Sequence, residues 1–161
     1  MGNSDNPRIG RDFEAIAQAC LAEHGMRLNE HVQVEVGAGR ERRLHTFDLG
    51  SDSPPVLVEC KAHTWTAGGN SPSAKLTVWN EAMHYFQCAP AGYRKILFVL
   101  RDERRGVTLA EYYLQRYAHL VPDDVEVWEY DRGTGDAVVR HPARASSIVG
   151  QTEHALSLIH I

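Results

Sequence analysis

Two acids and a lysine stand where chemistry could be done. Asp48 closes the segment His45-Thr46-Phe47-Asp48, and Glu59 and Lys61 flank Cys60 in Val56-Leu57-Val58-Glu59-Cys60-Lys61. Side chains alternate along a strand, so Glu59 and Lys61 share one face with Leu57. Val56, Val58 and Cys60 take the opposite face and go to the core. Cys60 then reads as a small buried hydrophobe rather than a nucleophile. Charged side chains are seldom buried without a partner, so two of them ending an apolar run ask for a reason. An internal Glu–Lys pair is the plain reason, and the EXK tripeptide alone is weak evidence for more. Asp48 adds to it. If the two strands pair as neighbours, Asp48 and Glu59 converge at one end of a sheet.

Such a set suits phosphodiester hydrolysis. The substrate is anionic and repels hydroxide. A hard divalent cation, Mg²⁺ or Mn²⁺, held by carboxylate oxygens neutralises the phosphate and acidifies a bound water. Asp48, Glu59 and the backbone carbonyl of Cys60 would supply the protein's oxygens. Lys61 would orient the attacking water or offset charge on the phosphorane.

The elements that must position these residues are legible as patterns. Residues Arg11 to Glu23 read as a helix, because Phe13, Ile16, Ala17, Cys20 and Leu21 mark one buried face. Gly25 is its expected stop. His31 to Val36 alternates as a strand, Gly37 to Gly39 turns, and Arg43 to Leu49 returns. Ser51 to Pro55 is a polar connection, and Val56 to Lys61 completes an antiparallel meander. Ser71 is expected to cap a second helix with Pro72 at its first position. Leu76, Trp79, Met83 and Phe86 form its stripe. Lys95 to Leu100 is a continuous apolar run, as in a central strand covered on both faces. Leu109 to Leu120 reads as a third helix and Val125 to Tyr130 as a fifth strand. The order αβββαβαβ predicts an α/β fold, a mixed central sheet flanked by helices.

With the elements placed, the chain resembles the PD-(D/E)XK, or restriction-endonuclease-like, nuclease superfamily. The resemblance rests on Gly10-Arg11-Asp12-Phe13-Glu14 in a first helix, Asp48 after a hairpin, and Glu59-Cys60-Lys61 followed by a helix. It covers roughly Gly10 to Tyr130 and implies that family's αβββαβ core, with a further αβ appended here. It also implies Asp48 and Glu59 as metal ligands, Lys61 as the catalytic lysine, and Glu14 as a first-helix acid near the metal. The proline that names the motif is absent, since Phe47 precedes Asp48. The activity implied is a metal-dependent endonuclease acting on DNA, in restriction, phage defence or repair. RNA is an alternative substrate. A module that kept the fold and lost catalysis, binding nucleic acid or protein, is the alternative function.

Other residues carry smaller expectations. Thr46 shares the face of Asp48, and Asp52 is the rival acid if the strand boundary lies further on. Trp65, between the third strand and the Gly68-Gly69 pair, could stack on a base or simply pack. Asn70 in the same loop, Lys75 and Glu81 on the second helix, and Arg42 and Arg43 at the hairpin are the further candidates for substrate contact. Arg40 joins the last two in one basic cluster, and Arg101, Arg104 and Arg105 make another.

Composition bounds these readings. The chain has 161 residues, 43% of them hydrophobic, which is one domain's length with material for a single core. A net charge of −4 argues mildly against a general polyanion binder, though a local basic groove is compatible with it. Three scattered cysteines without a CxxC pair fit a reducing cytoplasm and no zinc knuckle. The nine histidines show neither HxH nor HExxH spacing. No GxxxxGK[ST] loop or GxSxG elbow is present. No apolar run is long enough for a membrane span. Loops, the geometry of a homodimer or a partner protein would supply sequence preference, since no specificity domain is recognisable. A single domain is expected over 1–150. Residues 151–161 read as a tail, in which Leu156 to Ile161 (LSLIHI) resembles a translated sequencing-adaptor end and is set aside.

Overall fold

A computed structural model describes residues 6–68 and 72–144. Helix α1 (Asn6–Glu23) starts earlier than its apolar stripe predicts. Pro7 accounts for this. Its ring presets a helical φ, and its missing N–H is not needed in a first turn. Phe13, Ala17, Cys20 and Leu21 are buried, and Ile16 is half-buried. The helix stops at Gly25, whose φ of +86° suits glycine alone. There the Gly25 N–H donates to Ala22 O at 3.0 Å and the Met26 N–H to Leu21 O at 2.9 Å, closing the last turn.

Strands β1 (Asn29–Val36), β2 (Arg43–Asp52) and β3 (Pro55–Lys61) form the expected antiparallel meander. Then come α2 (Ser73–Cys88), β4 (Arg94–Leu100), a small hairpin of β5 (Glu103–Arg104) and β6 (Val107–Thr108), and α3 (Leu109–Tyr117). Strands β7 (Val125–Asp131) and β8 (Asp136–His141) follow. The main sheet has six strands in the order β1-β2-β3-β4-β7-β8. Its centre, β3-β4-β7, is parallel, and the outer pairs are antiparallel. The chain is therefore α/β, with a mixed sheet flanked by helices.

Helices α2 and α3 cover one face. There Leu76, Trp79, Phe86 and Tyr113 pack on Phe47, Leu57 and Leu97. Helix α1 covers the other, with Phe13, Ala17 and Leu21 on Leu49, Val58, Ile96 and Phe98. This explains the unbroken run in β4, whose alternate residues feed two cores. It also corrects the reading of β3. The alternation holds, but both faces are covered: Leu57 is fully buried beneath α2, and Cys60 on the opposite face is only partly buried.

Other boundaries differ for local reasons. The polar stretch Ser51 to Pro55 is mostly strand, because Asp52 pairs with Pro55 and only the tip turns. The third helix ends at Tyr117 and finishes in a 3-10 turn to Leu120. Its start is a capping box: the Glu111 N–H donates to Thr108 Oγ1 at 3.1 Å, and the Thr108 N–H donates to Glu111 Oε2 at 3.4 Å. Helix α2 begins at Ser73, with Pro72 just outside it rather than in its first position. The expected cap Ser71 lies outside the described residues, as does the tail from 145. Among the described residues no helix is long and apolar enough to cross a membrane.

Candidate active site

The position of Asp48 comes from a break in the sheet. Pairing between β1 and β2 matches Val32 with Phe47 and Glu30 with Leu49, but skips His31 and Asp48 between them. His31 has a φ of +52°, uncommon for a residue with a side chain. The faces swap across this break. Phe47 packs beneath α2 and Leu49 beneath α1. Unbroken alternation would have put both on one face. Asp48 thus does not end the second strand, as its sequence position suggested. It interrupts it.

On the other side, β2 pairs with β3 from Asp52↔Pro55 up to Leu49↔Val58. Beyond that, the Cys60 N–H donates to Asp48 Oδ2 at 2.7 Å. The carboxylate takes the place of a backbone rung. A strand residue's N–H and C=O point to the same neighbour, so the Cys60 carbonyl faces the Asp48 side as well. Close packing beside the break demands glycine at Gly50. A Cβ there would stand 2.8 Å from Val56 O and 3.2 Å from Val32 Cβ.

Asp48 lies in the gap between β2 and β3 and reaches acids from both sides of the sheet. Its carboxylate is within side-chain hydrogen-bonding reach of Glu14 on α1 and of Glu59 on β3. Glu59 is 6% exposed. Its Oε1 is 3.1 Å from His45 Nε2, and its Oε2 is 3.9 Å from Lys61 Nζ. Burial first, and then the charge of Asp48, push the Glu59 carboxyl up to about 8. Glu14 is raised by the same two causes in the same order. Burial likewise lowers His45, which stacks on Tyr85 with ring centroids 3.7 Å apart. Glu59 and His45 are thus poised to share one proton, held by either the carboxyl or Nε2. Burial and the neighbouring acids raise the Cys60 thiol well above its ordinary range, so it is a poor nucleophile at neutral pH.

His45 is the member of this group to which its sequence context assigned no role. Its signal was present, since His45 and Phe47 alternate onto the face beneath α2, but a lone histidine on an apolar face is unremarkable. Thr46 is exposed and Asp52 lies at the hairpin tip, within 3.4 Å of Tyr93 Oη. Asp52 is four residues from Asp48, about 14 Å along the strand, and takes no part in the cluster.

The proposed substrate contacts are dispersed. Trp65 is half-buried rather than exposed. Its backbone N–H donates to Asp102 Oδ2 at 2.7 Å and its indole N–H to Asp102 O at 3.0 Å. Lys75 donates to Thr64 O at 2.6 Å, which ties the loop after β3 to α2. Glu81 is exposed and close enough to act on His45. Arg42 and Arg43 are exposed at the far end of the β1–β2 hairpin, with Arg43 about 17 Å along the strand from Asp48. Arg43 and Glu81 line a groove of about 310 Å³ with Tyr85 and His84. Asn70 lies outside the described residues.

The donor chemistry of the gap fits a hard divalent cation. Carboxylate oxygens from Asp48, Glu59 and Glu14 and the Cys60 carbonyl are all of the required kind. Burial and the Asp48 charge favour a proton on Glu59, which a bound cation would displace. The described residues whose ligand atoms all lie within 4.8 Å of one another are a different trio, Cys20, His24 and Asp136. In these rotamers the three acids do not converge on one point, so an ion in the gap could draw on Asp48 with Glu59, or Asp48 with Glu14, but not on all three. No family model, curated protein or solved structure matches the chain.

Proposed function

We propose that the protein is a Mg²⁺- or Mn²⁺-dependent nuclease hydrolysing phosphodiester bonds of DNA, with a restriction-endonuclease-like core. The observation that carries this is Asp48 in the gap, bonded to the Cys60 N–H and in reach of Glu59, with Lys61 beside it. Burial beside Asp48 keeps a proton on Glu59, and a cation held between the two acids would take that proton's place.

Asp48, Glu59 and the Cys60 carbonyl would hold the cation, with Glu14 in reserve on the α1 side. Once bound, the ion supplies charge neutralisation at the scissile phosphate and a more acidic water. Lys61 has a partly exposed side chain, so its ammonium can meet an arriving phosphate oxygen while Glu59 anchors it. His45 fixes the Glu59 carboxyl through Nε2, and Tyr85 fixes the His45 ring by stacking. Trp65 and Lys75 brace the loop that leaves Lys61, which keeps the strand end in register with the helix that follows.

The test is hydrolysis of plasmid and linear DNA, with RNA in parallel, with and without Mg²⁺. Glu59→Gln and Lys61→Ala are each expected to lower the rate by about 10²–10³-fold. Equal rates in both variants and the parent would overturn the reading. Metal-independent binding without cleavage would favour an inactive module of the same fold.

A further inference from the structure

A second group of metal-ligating side chains lies away from the carboxylate gap. Cys20 and His24 stand one helical turn apart at the end of α1, where the His24 N–H still bonds to Cys20 O at 3.3 Å. Residues at i and i+4 share a helix face. Asp136, which opens β8, meets them from the sheet. His24 Nε2 is 3.1 Å from Asp136 Oδ1, and the sulfur, a ring nitrogen and a carboxylate oxygen all lie within 4.8 Å of one another. We propose that Cys20, His24 and Asp136 form a zinc site that clips the end of α1 to the β7–β8 hairpin.

The geometry is close to what zinc requires. Zinc bonds of about 2.3 Å to sulfur and about 2.0–2.1 Å to nitrogen and oxygen put tetrahedral donors about 3.3–3.6 Å apart. The three atoms need shift only by small side-chain rotations to meet that. The surroundings are ordered for it as well. Trp128 packs edge-on against the His24 ring, with centroids 5.0 Å apart. The Ala137 N–H donates to Asp136 Oδ1 at 2.8 Å. Burial first, and then the charges of Asp136 and Glu23, raise the Cys20 thiol, so the metal must displace its proton on binding.

Donor type selects the metal. A thiolate with an imidazole and one carboxylate suits a borderline-soft ion and not Mg²⁺. Three protein donors leave a fourth position, which water fills. The solvent side is open, since the His24 and Asp136 side chains are 37% and 62% exposed while Cys20 is buried. Binding exchanges the Cys20 thiol proton and the His24–Asp136 hydrogen bond for three metal bonds. The site is separate from the gap. Glu14 and His24 are ten residues apart on one helix, about 15 Å along its axis.

Cobalt(II), a spectroscopic stand-in for zinc, tests this on the full chain. One equivalent is expected to give a thiolate-to-cobalt charge-transfer band that one equivalent of Zn²⁺ displaces, and Zn²⁺ is expected to raise the melting temperature. Asp136→Asn alters an exposed group and keeps the fold. It is expected to weaken cobalt binding by more than about tenfold, at least the cost of losing an outer-shell partner. Cys20→Ser abolishes the band. Cys88→Ser and Glu59→Gln retain it, the latter whether or not the chain is a nuclease. Absence of the band, or its persistence at full strength in Asp136→Asn, would overturn the site.

Discussion

Glu59 and Glu129 are both buried glutamates on the central parallel strands, and they live under opposite conditions. Glu129 is 1% exposed and has three donors: Thr108 Oγ1 at 2.6 Å, and Arg140 Nε at 3.1 Å and Nη2 at 3.0 Å. Glu126, on the same strand β7, is held by Arg94 through two bonds of 2.7 and 3.0 Å. Glu59 instead faces Asp48, a neutral-leaning histidine and a lysine at 3.9 Å. Burial alone therefore does not mark a site. What sets the candidate site apart is a buried acid placed beside another acid, which favours a proton where Glu129 has an arginine. An arginine completes each structural pair, through both carboxylate oxygens in Glu126 and through one in Glu129.

The largest expected effect separates the two glutamates by readout. Glu59→Gln should cost about 10²–10³-fold in DNA hydrolysis and leave melting at pH 5 near the parent's. Glu129→Ala should leave hydrolysis within a few-fold once folded, yet cost about 3 kcal/mol of stability by stranding Arg140 and Thr108. That corresponds to a drop of about 6–10 °C in melting temperature. The reverse pattern, in urea melts and initial rates, would break the comparison.

Next in size is a pH effect. Glu59 is raised from 4.5 to about 8, so between those values the folded chain keeps a proton that the unfolded chain has lost. Stability from this group is intact below about 4.5 and falls as pH rises toward 8, by a few kcal/mol at most. Urea denaturation from pH 5 to pH 8 should show this fall in the parent and a flatter profile in Glu59→Gln. Saturating Mg²⁺ should restore stability at the alkaline end, because it binds the ionised form. A parent profile that rises through this range would contradict the assignment of Glu59 as the acid that keeps its proton.

The smallest effect concerns His45. His45→Ala removes the 3.1 Å partner of Glu59 and the ring that stacks on Tyr85. Hydrolysis should fall by about tenfold, with Mg²⁺ needed at higher concentration. His45→Asn, which keeps a hydrogen-bonding group, should recover part of the rate. A rate unchanged in both variants would reduce His45 to a packing residue.

Much of the fold was legible locally. The stripe from Phe13 to Leu21, the alternation of β1 to β3 and the two-sided run of β4 each follow from one element's own periodicity. The short hairpin β5–β6 and strand β8 were not legible, since neither has an apolar period long enough to read. Strand β8 is largely exposed, with Val138 and Val139 facing solvent. In the candidate site, alternation put Glu59 and Lys61 on one face, as they are. Asp48 was expected at a strand end, which is an incomplete account of its place. A regular strand end would not have sent it into the gap, whereas the break at His31 does.

What the residues determine by themselves is which elements form and which way each side chain faces, because those depend on neighbours a few positions away. Only the tertiary structure decides what each side chain meets. His45 and Glu59 are 14 positions apart, Thr108 and Glu129 are 21, and His24 and Asp136 are 112. No local pattern distinguishes a glutamate that will meet an arginine from one that will meet an aspartate. That outcome is set where β2 leaves β3 and the Asp48 carboxylate takes over the Cys60 N–H. The EXK tripeptide announces charge on a buried strand, and the packing around it determines that Glu59 meets an aspartate rather than an arginine.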